Sequence, residues 1–222
     1  MSARTDAGTP PWSLPSPRMT IRDHAGTSTV TPGRICFWGG VVGAVQAVLL
    51  LLVPPAVGPE YFSYPLTPTA NAIVQVTFAV QHVALVIGIA ALLRLAGGSR
   101  AARTGLGIAV AGLVLLTAME LVAITVTGST IDDPQALLVG SLYGVPTILT
   151  GVGLVVAGIG LGRAGVWTGR WRWLVLATGL YVFVVLLPGI MAPFAVGRIV
   201  IGVWMLLFAA IGHALSVSSP AR

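Results

Sequence analysis

The run "TGLGIAVAGLVLLTAMELVAITVT", residues 104–127, decides the class of fold. Its only charged residue is Glu120. An α-helix needs about 20 apolar residues to cross a hydrocarbon layer roughly 30 Å thick, and this run is long enough. The run therefore predicts a transmembrane helix, and it places a carboxyl group inside the membrane.

Five further apolar runs complete the pattern, at about 36–56, 69–93, 135–162, 172–188 and 193–215. Lipid offers the backbone no hydrogen-bond partner, so each run is expected to be a helix. Thr67-Pro68 and Asp133-Pro134 each place a capping side chain before a proline at the first helical position. We predict an all-α fold, a bundle of six transmembrane helices within a domain over residues 34–216, in which the fifth helix is the shortest.

The composition agrees with a membrane protein. Hydrophobic residues make up 56% of the chain and charged residues 8%, with a mean hydropathy of +0.95, which leaves too little polar surface to coat a soluble globule. All the basic residues are arginines. Because their position along the chain explains the high pI, the predicted partner is the lipid bilayer and not nucleic acid.

The two termini are predicted to be cytoplasmic tails. Residues 1–33 are rich in Pro, Ser, Thr and Gly without periodic apolar positions, which predicts a disordered tail, and residues 217–222 form a second short one. Arginines gather in the first tail and in alternate connections, whereas the other connections carry acidic residues. The residues that set this asymmetry are Arg4, Arg18, Arg22, Arg34, Arg94, Arg100, Arg103, Arg163, Arg170 and Arg172 against Glu60, Asp132 and Asp133. By the positive-inside rule, the protein is expected to be a multi-pass protein of the plasma membrane with both termini cytoplasmic.

Polar side chains inside the helices are predicted to form one layer. At a rise of about 1.5 Å per residue, they lie roughly 8 to 12 Å below the outer boundary of the hydrocarbon. The layer takes one residue from each helix: Gln46, Gln75, Glu120, Tyr143, Tyr181 and Arg198. Asn71, Gln75 and His82 share one face of their helix, and such stripes usually point at other helices.

Glu120 has three possible roles. It is expected to be protonated and hydrogen-bonded to Gln46, Gln75 or Tyr143, or ionised and paired with Arg198. In either state of ionisation, Glu120 could act as a structural clamp, as a proton-coupling carboxylate or as a ligand contact. Arg198 has its own alternative, which is to extend towards the outer headgroups. The candidate ligand or proton site therefore comprises Glu120, Arg198, Gln75, Gln46, His82 and Tyr143.

The sequence predicts no metal site, no cofactor and no catalytic residues. His82 and His213 differ in height by roughly 12 Å along the membrane normal, too far to hold one haem iron between them. No second histidine, cysteine or carboxylate stands at metal-site spacing beside either histidine. Asp132 and Asp133 resemble a metal-binding pair, but helix capping before Pro134 explains at least one of them and is the preferred interpretation.

Two further segments carry structural predictions. The fourth run repeats small residues on one stripe, which predicts a close helix contact within the bundle, with a dimer contact as the alternative; these are Gly140, Gly144, Thr147, Gly151, Gly158 and Gly162. The loop "PPAVGPEYFSYPLTP", residues 54–68, is stiff and partly apolar. It is expected to fold over the outer mouth of the bundle as a lid, or to anchor at the interface through its aromatic residues.

Three stretches resemble a group of uncharacterised six-helix integral membrane proteins from high-GC bacterial genomes. They are "FSYPLTP" at 62–68, "QHVALVIGIAALL" at 81–93 and "LLTAMELVAIT" at 115–125. The resemblance covers about residues 36–215. It implies the six-helix fold and implies no activity.

Three classes of function remain open from the sequence. The leading one is a structural or accessory membrane protein with a polar layer in the outer leaflet. The alternative is a transporter or ligand-binding protein for a small solute, a lipid or a proton, and a membrane-embedded enzyme ranks last. The predicted partners beyond the bilayer are a small ligand or lipid, and the sequence does not indicate a homo-oligomer. A polar cavity that reaches Glu120 would favour the ligand-binding class, whereas a dry, closed bundle would favour the structural class.

Overall fold

A computed structural model describes residues 22–217, and within that range the chain forms helices and no strand. The helices are α1 (Arg22–Leu52), α2 (Pro68–Leu92), α3 (Arg100–Ala123), α4 (Pro134–Leu142), α5 (Gly144–Arg163), α6 (Leu174–Tyr181), α7 (Leu187–Ile190) and α8 (Phe194–Val217). Five helical segments are long and apolar enough to cross a membrane, and the segment Leu174–Ile190 is shorter. The predicted fold class, an all-helical bundle of membrane type, is confirmed.

The helices form a ring around a central space. Along the ring, α1 packs on α2, α2 on α3, α3 on α5 and α5 on α6, while α8 packs along α1 and closes the ring against α6 and α7. In this order α3 and α8 stand on opposite sides. The outer surface of the ring is apolar, as contact with lipid requires; exposed examples are Val45, Val80, Val114 and Ile199.

The bundle has two chemically different ends. The acidic end carries the loops 53–67 and 127–133, which are joined by hydrogen bonds from the Phe62 amide to the Ser129 carbonyl (3.0 Å) and from the Ile131 amide to the Glu60 carbonyl (2.8 Å). At the arginine-rich end, where the 164–173 connection lies, the His213 ring packs 5.8 Å from that of Trp171.

A very close helix contact joins α3 to α5. A Cβ atom at Gly105 would lie 2.7 Å from the Gly153 carbonyl oxygen, and one at Gly160 would lie 2.9 Å from the Cα atom of Ala102. The predicted glycine stripe of α5 is only partly correct. Gly151, Gly158 and Gly162 face the 173–183 segment, but Cβ atoms at Gly140 and Gly144 would meet nothing within 4 Å. The helix is interrupted at Tyr143, so a single stripe does not run through both α4 and α5.

Helix boundaries differ from the predictions at several points. Helix α1 begins at Arg22, so residues 22–33 of the predicted tail are helical, while residues 1–21 lie outside the described range. The last of these turns packs on the end of α8, where a Cβ atom at Gly33 would lie 2.8 Å from the Gly212 carbonyl oxygen. Tertiary packing thus stabilises a helix that local composition does not favour.

The capping residues give mixed results. Thr67 caps α2 as predicted, and its hydroxyl accepts a hydrogen bond from the Ala70 amide (3.3 Å). Ser99 caps α3 in the same way, so α3 begins at Arg100, earlier than predicted. Asp133 is the N-cap residue of α4 and Pro134 the first helical residue, as predicted, but the Asp133 side chain makes no capping hydrogen bond. Its carboxylate instead accepts from the Thr130 amide (2.8 Å) and closes the loop before α4.

A π-helical turn, Val182–Leu186, joins α6 to α7. The Leu187 amide donates to the Val182 carbonyl, five residues back. Pro188, at the start of α7, has no amide hydrogen to donate, and its ring would crowd the carbonyl of Val184 in a regular α-helix. The wider turn accommodates the proline.

Candidate functional site

A cavity of about 320 Å³ lies inside the ring, towards the acidic end. Helices α2, α3, α5, α7 and α8 contribute to its wall, together with Phe62 from the 53–67 loop and Tyr143 from the α4–α5 junction. Most of the lining is apolar. The polar side chains that reach it are Asn71, Gln75, His82, Glu120, Tyr143, Thr147, Arg198 and Trp204.

Glu120 forms the polar centre of one wall. Its side chain is buried near the end of α3, and the Tyr143 hydroxyl donates a hydrogen bond to Oε2 (2.9 Å). The His82 Nδ1 atom lies 3.7 Å from Oε1, which is longer than a hydrogen bond. Of the predicted partners of the carboxyl group, the structure therefore brings Tyr143 into contact, and it also places His82, which was not a predicted partner, just beyond hydrogen-bond distance.

The break between α4 and α5 places Tyr143 at the cavity. Pro146 has no amide hydrogen for the Leu142 carbonyl, so the regular helical pattern is interrupted here. Tyr143 stands in the interruption, and its hydroxyl reaches both the Met119 carbonyl (3.2 Å) and Glu120 on α3. Pro146, about one turn after Tyr143, thus helps to position the hydroxyl group that contacts the buried carboxyl group of Glu120.

Arg198 lines the same cavity from α8 but forms no direct ion pair with Glu120. Its guanidinium carbon lies 4.9 Å from the centre of the Phe194 ring, which is a cation–π distance. The predicted Glu120–Arg198 ion pair is not formed in the described part of the chain. The reason is topological, because α3 and α8 are on opposite sides of the ring with the cavity between them.

Three buried nitrogen atoms at the cavity have no hydrogen-bond partner among the described residues. They are Nδ2 of Asn71, Nδ1 of His82 and Nε1 of Trp204. The three side chains are at most 8% exposed. Buried polar atoms without partners are uncommon in folded proteins, because each one loses its hydrogen bonds to water. Their concentration at one cavity points to a ligand that supplies the missing partners.

Two members of the predicted polar layer lie elsewhere. Gln46 joins α1 to α2, where its Oε1 atom accepts hydrogen bonds from Gln81 (2.6 Å) and Thr77 (2.8 Å), so its assignment to the Glu120 site is wrong. Tyr181 donates to the Val200 carbonyl (3.0 Å) and holds α6 against α8. Gln75 lines the cavity, as the shared face with His82 indicated.

The structure also locates the other predicted features. His213 is exposed at the arginine-rich end, beside Phe37 and Trp171, whereas His82 lines the cavity, so the two histidines do not meet. Within residues 22–217 no three His, Cys, Asp or Glu side chains are grouped as metal ligands would be. The 53–67 loop folds onto the bundle, with Phe62 at the cavity and Tyr64 packed 5.2 Å from the Phe194 ring.

Five polar or aromatic residues of the site were not identified as site candidates from the sequence: Asn71, Trp204, Phe62, Thr147 and Phe78. Asn71 shares the face of Gln75 and His82, and that face would have revealed it. Trp204 stands alone in the middle of an apolar run, away from the interfaces where tryptophan is usual in membrane proteins, which is a usable signal. Phe62 and Thr147 carry no such signal, because their positions depend on how the loop and α5 fold.

Comparison of the chain with protein-family models, curated proteins and solved structures finds no match. The resemblance to six-helix bacterial membrane proteins stays a prediction.

Proposed function

We propose that the protein is an integral membrane protein that binds a small molecule in the central cavity. The observation that carries this proposal is the convergence of Glu120, Arg198 and three unpartnered nitrogen atoms on one cavity of about 320 Å³. A bundle whose polar residues served only as clamps would pair them with one another. Here the polar side chains face a space large enough for a ligand, since small-molecule pockets begin at about 300 Å³.

The composition of the wall matches the usual chemistry of a binding pocket. Apolar side chains such as Phe78, Leu116 and Met205 provide most of the contact area, and a few polar groups fix orientation. A structural or accessory protein, the leading class from the sequence, has no need for unpartnered donors in its interior. The ligand-binding alternative explains them.

The arginine asymmetry supports an orientation in which the acidic end faces outward and both termini are cytoplasmic, in the plasma membrane. In this orientation the cavity lies in the outer half of the bundle. Its ligand then arrives from outside the cell or from the outer leaflet of the membrane.

Cysteine labelling tests the orientation. In a Cys36→Ala background, a membrane-impermeant maleimide added to intact cells should label Asp132→Cys and spare Gly98→Cys. Both positions are exposed, one at each end of the bundle, and the native Cys36 is fully buried. After membrane disruption both variants should react equally, which serves as the control. Labelling of Gly98→Cys alone in intact cells would reverse the orientation.

Native mass spectrometry of the purified protein tests the binding function. We expect a co-purified small molecule that Leu116→Trp expels, because Leu116 lines the cavity and the indole would fill part of it. Leu115→Trp is the matched control, since Leu115 is 46% exposed on the outer surface of the same helix. Retention of the molecule by both variants would place its site elsewhere, and absence of any bound molecule from the unaltered protein would contradict the proposal.

A further inference from the structure

The two charged side chains of the cavity face each other across it without pairing. Glu120 lies on α3 and Arg198 on α8, the two helices that stand opposite in the ring. The charges of Glu120 and Arg198 attract each other through space but are not in direct contact. A ligand that gives each of them a hydrogen-bonded partner of opposite charge adds to this compensation. The arrangement therefore selects a ligand with two groups of opposite character.

The Arg198 side of the cavity requires an acceptor. The guanidinium group is a fork of hydrogen-bond donors that suits a carboxylate or a phosphate, and it lines the cavity from α8. Asn71, on α2, brings the unpartnered amide Nδ2 to the same cavity. An anionic group supplies the lone pairs that these donors need.

The Glu120 side requires a donor. Tyr143 hydrogen-bonds to Oε2, and Oε1 receives no hydrogen bond from the described residues, with His82 Nδ1 at 3.7 Å. An ammonium group on the ligand would donate to Oε1 and neutralise the carboxylate. A ligand with only an anionic group would give Glu120 no donor. A ligand with only an ammonium group would give Arg198 no acceptor.

We propose, on the basis of the proposed binding function, that the ligand is a small zwitterion with an apolar body. Its anionic group binds Arg198, its ammonium group binds Glu120, and its body packs on Phe78, Leu116 and Met205. A free amino acid with an apolar side chain and the headgroup of an ethanolamine phospholipid both carry these two charges on a short skeleton. Cavity geometry defines the shared chemistry, and the experiment separates the two sources.

The test compares probes that differ by one charged group. Purified protein in a non-ionic detergent is titrated with leucine, with 4-methylpentanoate, which lacks the ammonium group, and with 3-methylbutylamine, which lacks the carboxylate. Short-chain phosphatidylethanolamine and phosphatidic acid form the lipid arm. The thermal midpoint of unfolding, measured against probe concentration, gives an apparent Kd for each.

We expect the zwitterion of at least one arm to bind about tenfold or more tightly than its truncated partners, since each loses one charge-assisted hydrogen bond. Glu120→Gln should bring leucine and 4-methylpentanoate to equal affinity, and Arg198→Gln should do the same for leucine and 3-methylbutylamine. If phosphatidylethanolamine is the active zwitterion, Glu120→Gln should equalise it with phosphatidic acid. The probe series on the unaltered protein decides the matter even if a variant does not fold.

The remaining outcomes distinguish this inference from the binding function. Equal or tighter binding of the anions alone would overturn the zwitterion and leave the binding function intact. The same holds if no probe binds while native mass spectrometry finds another molecule in the cavity. A protein with neither probe binding nor a bound molecule would overturn both.

Discussion

Gly105→Leu is expected to prevent the bundle from folding, or to lower its stability by several kcal/mol. The added side chain would enter the α3–α5 contact, where a single Cβ atom already lies 2.7 Å from the Gly153 carbonyl oxygen and 2.8 Å from the Cα atom of Ala157. Both neighbours are backbone atoms, which cannot move aside as a flexible side chain can. The measurement is the yield of monodisperse protein after gel filtration in detergent, together with its thermal midpoint.

Gly107→Leu provides the matched control. It makes the same change two residues along the same helix, where a Cβ atom meets nothing within 4 Å. The control should fold normally, because a leucine there faces outward and has a higher helix propensity than glycine. Equal damage from both changes would remove the case for close backbone contact between α3 and α5.

Glu120→Gln and Tyr143→Phe are expected to be strongly coupled. The Tyr143 hydroxyl donates to Glu120 Oε2 at 2.9 Å, so once either partner has been changed, the second change has less left to remove. Hydrogen bonds that involve a charged group contribute about 1.5–3 kcal/mol, and groups in contact show coupling energies of about 0.5–3 kcal/mol. Thermal or denaturant unfolding of the two single variants and the double variant measures this coupling.

Tyr181→Phe is the control for that cycle. It removes the same hydroxyl from a tyrosine that bonds to the Val200 carbonyl instead of Glu120. Its effect should add to that of Glu120→Gln within about 0.5 kcal/mol. Independent effects of Glu120→Gln and Tyr143→Phe would mean that their hydrogen bond contributes nothing to stability.

The fold was predictable because the membrane restricts the choices. Long apolar runs such as residues 104–127 have to be helical in lipid, and prolines at positions 68 and 134 mark two helix starts. The start of α1 at Arg22 and the start of α3 at Arg100 were not predicted. The first depends on packing against α8, and the second on a serine cap that the apolar pattern does not show.

The site was predictable in part for the same reason. Polar residues are expensive in lipid, so Glu120, Arg198 and Gln75 were expected to face inward, and all three line the cavity. Depth along a helix is readable from one sequence, but the order of helices around a ring is not. That order separates Glu120 from Arg198. It also explains why Gln46 lies at the contact of α1 with α2 and not at the cavity.

The π-helical turn at Val182–Leu186 bears on how this chain tolerates changes in length. Such a turn holds one residue more than the α-helical path requires, and it is often found near functional sites. Deleting one residue there would restore regular winding, and the ring of Pro188 would then crowd the carbonyl four residues back. Ile190, which follows the proline and lines the cavity, would be displaced by this clash. Among descendants of one ancestral sequence, single-residue insertions and deletions in this segment would alter the shape of the cavity while the other helices kept their places.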